Sequence, residues 1–138
     1  MNSPGRRAVA TLLVALCVVA LGLGSRAAGA PAVVRANVGD ALYAALIWVL
    51  LGLFPPLATP GRRAPRALLA YGLCAAIEAL QAVEAPEGSL LAALRALPGA
   101  AYVLGRGFSA ADLVRYAVGV GVAVFLEVTI TCRSTRRG

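Results

Sequence analysis

A chain of 138 residues suits one domain, but 60% hydrophobic and only 14% charged residues, with a mean hydropathy of +0.82, exclude an ordinary water-soluble core. The net charge of +7 rests on 13 arginines and no lysine, set mainly in short segments between apolar runs. That pattern follows membrane topology and excludes a nucleic-acid partner, which needs a continuous basic face with interleaved aromatics.

The polar start ends in Arg6-Arg7, and residues 8–24 are free of charge. At helical rise they reach about 25 Å, the short end for a membrane span. Ala28-Gly29-Ala30 resembles a cleavage site, so a removed signal peptide is the rival to a retained anchor, the reading preferred here. Residues 25–38 form the first connection. Asn37-Val-Gly-Asp40 opens the second span, residues 39–54, with Asn37 as N-cap and Asp40 in the first turn, and Pro55-Pro56 stops it. A basic loop over residues 57–66 carries Arg62, Arg63 and Arg66.

The third span covers residues 67–83 and holds Glu78 and Gln81 on one helical face. Glu84-Ala-Pro-Glu87-Gly breaks the helix. Residues 89–97 form a short amphipathic helix with Leu90, Leu94 and Leu97 on one face, too short to cross and therefore interfacial or re-entrant. Gly105-Arg106-Gly107 makes a flexible turn, the fourth span runs over residues 109–131, and Arg133, Arg136 and Arg137 close the chain. The expectation is an all-α membrane protein of one domain with four transmembrane helices. Cys17, Cys74 and Cys132 lack metal or redox spacing and read as small buried apolar residues. Histidine is absent, which removes Ser-His and Cys-His catalysis and the usual zinc sites, and nothing calls for a cofactor or metal.

Arginine placement orients the spans. Arg6, Arg7, Arg62, Arg63, Arg66, Arg133, Arg136 and Arg137 fall on one side, against Arg26, Arg35, Arg95 and Arg106 on the other, so both termini are expected in the cytoplasm of a bacterial inner membrane. Asp40 and Tyr43 then lie at the outer end of span two, Glu78 and Gln81 near the outer end of span three, and Asp112 and Tyr116 at the start of span four. With Arg106 they form a candidate ligand-binding layer. Most have ordinary readings: Ser109-Ala-Ala-Asp112 reads as a capping box, Tyr43 and Tyr116 as interfacial aromatics, and Arg106 and Arg115 as snorkelling or ion-paired. Glu78 lies at neither end of its helix, so capping does not account for it. Its ordinary reading is a structural pair with Arg106 or Arg115, or a bond to Gln81. An ionisable residue inside an apolar span otherwise marks function. Glu127, near the inner end of span four, reads as a headgroup-level charge. Gly72 with Ala76 and Gly119 with Ala123 place small residues where helices approach.

Three motifs in order, Val38-Gly-Asp40-Ala-Leu-Tyr43, Ile77-Glu78-Ala-Leu-Gln81 and Tyr102-Val-Leu-Gly105-Arg-Gly107-Phe108-Ser-Ala-Ala-Asp112-Leu-Val-Arg-Tyr116-Ala-Val-Gly119, resemble domain of unknown function 2809, a family of small four-span bacterial membrane proteins. The resemblance covers about residues 12–127 and implies no activity. A looser similarity to VanZ-like proteins of the cell envelope rests on Glu78-x-x-Gln81 and the Asp112 that opens the last helix; the chain lacks a histidine after Asp40 and has Tyr116 where those proteins usually carry asparagine.

The leading expectation is a non-enzymatic membrane protein whose outer-face polar pocket binds an envelope or lipid-headgroup ligand. An embedded enzyme on a lipid-linked substrate, with Glu78 as acid or base, is the first alternative. A small transporter component and a scaffold for another membrane protein are the others.

Overall fold

The computed structural model describes residues 4–84, 86–98 and 109–135, and every regular element among them is helical. Helix α1 runs Pro4–Ser25 and ends in a turn closed by Arg26 N–H to the Leu23 carbonyl. Helix α2 runs Ala32–Leu51 and starts seven residues before the expected 39. Pro31 takes the position ahead of the first turn, where its fixed φ is pre-set for the helix, and Ala32 to Ala36 contain no breaker. Asn37 is consequently not a cap: it sits inside the helix, where its Nδ2 donates to the Val33 carbonyl at 2.8 Å. Asp40 likewise moves from the first turn to the third. Gly52 caps the end of α2, and two short 3-10 turns, Pro55–Leu57 and Pro60–Arg62, lead to α3.

Helix α3 spans Arg63–Ala82, four residues earlier than expected. Pro65 is tolerated because it falls in the first turn, where its missing N–H would have no helical partner. The residues it buries are Arg66, Ala70, Cys74 and Glu78, one every four positions along a single face. That stripe has a charge at each end and two small residues between. Helix α4, Leu90–Arg95, is capped by Ser89, whose Oγ accepts from Ala92 N–H at 3.1 Å. Its Leu90 and Leu94, and Leu97 beyond it, are exposed. Arg95 fastens it to α3, donating to the carbonyls of Leu80, Gln81 and Val83 at 3.0–3.4 Å, where a cation opposes the negative end of the helix dipole. Helix α5, Ala110–Thr135, is the longest.

Helices α2 and α5 run parallel in close contact, α1 packs against α2, and α3 lies antiparallel to both α2 and α5. The core is small: Ala44, Trp48, Ala70, Cys74, Tyr116 and Val120. Gly119 sets the α2–α5 approach, because a Cβ there would run into the Ala41 backbone carbonyl. Gly72, the other small-residue position, has nothing within 4 Å of where its Cβ would stand, so it mediates no contact among the described residues. Cys74 is buried as expected; Cys17 and Cys132 are exposed instead, on helix faces turned away from the core.

Most large apolar side chains face outward, among them Leu12, Leu16, Leu21, Leu68, Phe125 and Ile130. An apolar surface of that extent belongs in lipid. Three helical stretches, Gly5–Ser25, Ala32–Leu51 and Ala110–Arg133, are long and apolar enough to cross a membrane, which are the helices of a membrane protein. Helix α3 is not among them, since Arg63, Arg66, Glu78 and Gln81 lower its hydropathy.

Candidate functional site

The parallel course of α2 and α5, with α3 antiparallel, brings Asp40, Tyr43, Glu78, Asp112 and Tyr116 to one end of the bundle. They divide into two groups. The first surrounds Glu78, which is 0% exposed. Its Oε1 accepts the backbone N–H of Ser109 at 2.6 Å, and its Oε2 accepts the Tyr116 hydroxyl at 3.0 Å. The Tyr116 ring leans on Tyr43, with centroids 6.3 Å apart.

This corrects two expectations. Ser109 and Asp112 do not form a reciprocal capping box, because the Ser109 N–H is taken by Glu78 and the Asp112 carboxylate turns to Arg115. Glu78 does act as a cap, but for another helix: it supplies from α3 the acceptor that the first turn of α5 needs. Neither an Arg115 nor a Gln81 side-chain bond to Glu78 occurs among the described residues; its partners are Ser109 and Tyr116. Gln81 lies one turn further along α3, half-buried at the same end. Arg106, and the Gly105–Gly107 turn expected around it, lie outside the described residues.

The second group is an ion-pair network built on Arg115. Its Nε donates to Asn37 Oδ1 at 2.9 Å, and its Nη1 pairs with Asp112, one helical turn earlier, and with Asp40 Oδ2 at 3.6 Å. Its Nη2 has no bond to any described residue. Asp40 uses its other oxygen on Arg26, at 3.2 Å. Arg26 reaches it by lying across Gly39, where a Cβ would stand 2.8 Å from its Nε. Two arginines thus share one carboxylate, linking the end of α1 to α2 and α5. Asn37 and Arg26 are the residues sequence reading did not place in the site, and Arg115 is ion-paired, as one of its ordinary readings has it. The signal available for Arg115 was a cation inside an apolar helix three residues after an acid.

Two grooves flank α2 below this network. The larger, about 440 Å³, lies between α2 and α5, is walled by Val38, Ala41, Leu42, Ala45, Val114, Val118, Gly119 and Val122, and has Asn37 and Arg115 at its head. The smaller, about 240 Å³, lies between α1 and α2 and has Arg26 and Tyr43 among its lining residues. Glu78 lines neither of them; it stands behind the network and fixes where α5 begins.

The opposite end holds a second charged group. Arg66, 4% exposed, stacks its guanidinium 3.6 Å over the Trp48 ring and pairs with Glu127, while Arg63 bonds the other oxygen of Glu127 at 3.0 Å and Thr131 at 3.1 Å. Glu127 is therefore not a free headgroup-level charge but the tie between the start of α3 and the end of α5. Among the described residues no group of three or more metal-ligating side chains is found.

Residues 29–120 match the family described as "Protein of unknown function (DUF2809)". No curated protein and no solved structure matches the chain.

Proposed function

The chain belongs to the DUF2809 family, and on that premise we propose that it is a non-enzymatic integral membrane protein that binds a phospholipid. The acyl chain occupies the groove between α2 and α5, and the headgroup phosphate bonds Arg115. The observation that carries this reading is the Nη2 of Arg115, unengaged among the described residues, at the head of a groove of about 440 Å³ walled by apolar side chains. That volume falls among small-molecule sites, roughly 300–1,000 Å³. With Nε and Nη1 engaged, Nη2 is the donor left to form a charge-assisted hydrogen bond to a phosphate oxygen. Asp40, Asp112 and Asn37 aim the guanidinium, and Glu78, Tyr116 and Tyr43 hold the helices that carry it. Gln81, half-buried at the same end, extends the headgroup contacts.

In this reading α3 is a fourth span. Its Arg66 and Glu78 face the bundle and are paired, and Leu68, Leu69 and Leu73 face outward, so its charges are shielded from hydrocarbon. Helix α4 rests at the interface. The excess of arginines in the segments toward the Arg63 end supports a reading with both termini in the cytoplasm of a bacterial inner membrane and the Arg115 end at the outer leaflet. An acid–base role for Glu78 has less support, since both its oxygens are engaged inside the protein.

Native mass spectrometry of the protein released from bilayer discs of mixed composition tests the proposal. Anionic phosphatidylglycerol is expected to be retained over diacylglycerol. Arg115→Gln is expected to reduce that preference about tenfold, the factor of one charge-assisted hydrogen bond. Equal retention of both lipids by the wild-type protein refutes it.

A further inference from the structure

The two grooves share a wall. Leu42 of α2 lines both, and the two arginines that head them, Arg115 over the α2–α5 groove and Arg26 over the α1–α2 groove, meet on opposite oxygens of Asp40. Resting on the lipid reading above, we propose that the ligand is a diacyl glycerophospholipid that straddles α2, one acyl chain in each groove, with a single phosphate bridging Arg26 and Arg115.

The geometry fits two chains joined at one head. The distance between the arginines is already set by a two-oxygen anion, the Asp40 carboxylate, at 3.2 and 3.6 Å, and a phosphate presents its oxygens in a comparable spread. The grooves descend from that point on the two sides of one helix, and each is walled mainly by Val, Leu, Ala and Gly. Tyr43, among the lining of the smaller groove, lies about one helical turn below Asp40. A single-chain lipid would leave the smaller groove without its occupant. A neutral diacylglycerol would fill both grooves and offer the arginines only uncharged oxygens, which form weaker bonds than a phosphate. Chain burial alone gives little selectivity, because lipid tails outside the protein are equally apolar, so discrimination comes from the bridged phosphate and from packing in the grooves.

The test titrates the full-length protein in detergent micelles with three probes, read by native mass spectrometry: phosphatidylglycerol, its single-chain lyso form, and diacylglycerol. Phosphatidylglycerol is expected to bind about tenfold more tightly than diacylglycerol, the factor of one charge-assisted hydrogen bond, and more tightly than the lyso form through the packing of its second chain. Val19→Trp fills the smaller groove and should lower phosphatidylglycerol binding to the lyso level while leaving the lyso form unaffected. Val118→Trp fills the larger groove and should weaken both phosphate lipids. Both positions are substantially exposed, 39% and 55%, so the larger side chain enters a groove without entering the core, and an unchanged thermal unfolding midpoint verifies the fold. Arg26→Gln should weaken phosphatidylglycerol and leave diacylglycerol where it was. Equal binding of the one-chain and two-chain phosphate lipids, with Val19→Trp silent, overturns the straddling arrangement and leaves the single-groove proposal standing. Failure of phosphatidylglycerol to bind above diacylglycerol overturns both.

Discussion

Replacing Glu78 by alanine removes the acceptor for two donors at once, the Ser109 backbone N–H and the Tyr116 hydroxyl. Glu78 is 0% and Tyr116 5% exposed, and the bond to the Ser109 N–H is part-buried, so water replaces the carboxylate incompletely. Each buried donor left without a partner costs about 1–3 kcal/mol, which puts Glu78→Ala at about 2–6 kcal/mol and Tyr116→Phe, which strands one Glu78 oxygen, at about 1–3 kcal/mol. The double variant counts the shared bond once, so the cycle should return a coupling of about 0.5–3 kcal/mol between the two residues. Glu78→Gln keeps one carbonyl acceptor and should fall between wild type and Glu78→Ala. Equilibrium unfolding in mixed micelles, followed by circular dichroism, supplies the four stabilities. A Glu78→Ala protein within about 0.5 kcal/mol of wild type, the range of an ordinary surface change, refutes the cap from α3 to α5.

Other substitutions probe the remaining contacts. Gly119→Val drives side-chain atoms into the Ala41 carbonyl and should destabilise the bundle by about 1–3 kcal/mol or more, whereas Gly72→Ala, with open space around it, should gain about 0.5–1 kcal/mol from helix propensity in the same unfolding assay. Arg66→Ala removes the buried partner of Glu127 and the stack on Trp48. The expected loss is about 3 kcal/mol, the low end for a broken buried pair because Arg63 remains, and Arg66→Lys should not restore it. For the crossing of α3, single-cysteine proteins at Thr59 and Ser89, made on a background with Cys17, Cys74 and Cys132 replaced, should react with an impermeant maleimide from opposite sides of the membrane. In intact cells only the Ser89 position should label, and labelling of both from one side contradicts a fourth span.

Much of this arrangement was legible in the sequence. Uncharged runs located the long helices, and alternating their direction brought Asp40, Tyr43, Glu78, Asp112 and Tyr116 to one end, because apolar length and helical rise suffice for that inference. The start of α2 was not legible, since Asn37 looks like a cap whereas Pro31, six residues earlier, is equally compatible with a helix start. Arg66 reads locally as part of a basic loop. Its spacing of four from Ala70, and of eight and twelve from Cys74 and Glu78, would have placed it on the buried stripe. The partners of Glu78 and Glu127 lie 31 to 64 residues away, and no local pattern records a contact at that separation. Arg115 was visible as a cation in a span. Its role as the hub of the network depends on Gly119 drawing α5 against α2, a packing fact rather than a sequence one.

The central claim is that a lipid lies in the groove between α2 and α5 with its phosphate on Arg115. Photolabelling with a phosphatidylglycerol that carries a diazirine in its acyl chain addresses it at residue level. The account predicts that adducts concentrate on Leu42, Ala45, Val118 and Val122, are competed away by unlabelled phosphatidylglycerol, and are lost in Arg115→Gln. Adducts spread evenly over the exposed faces of α1 and α5, indifferent to competitor and to Arg115, would contradict it.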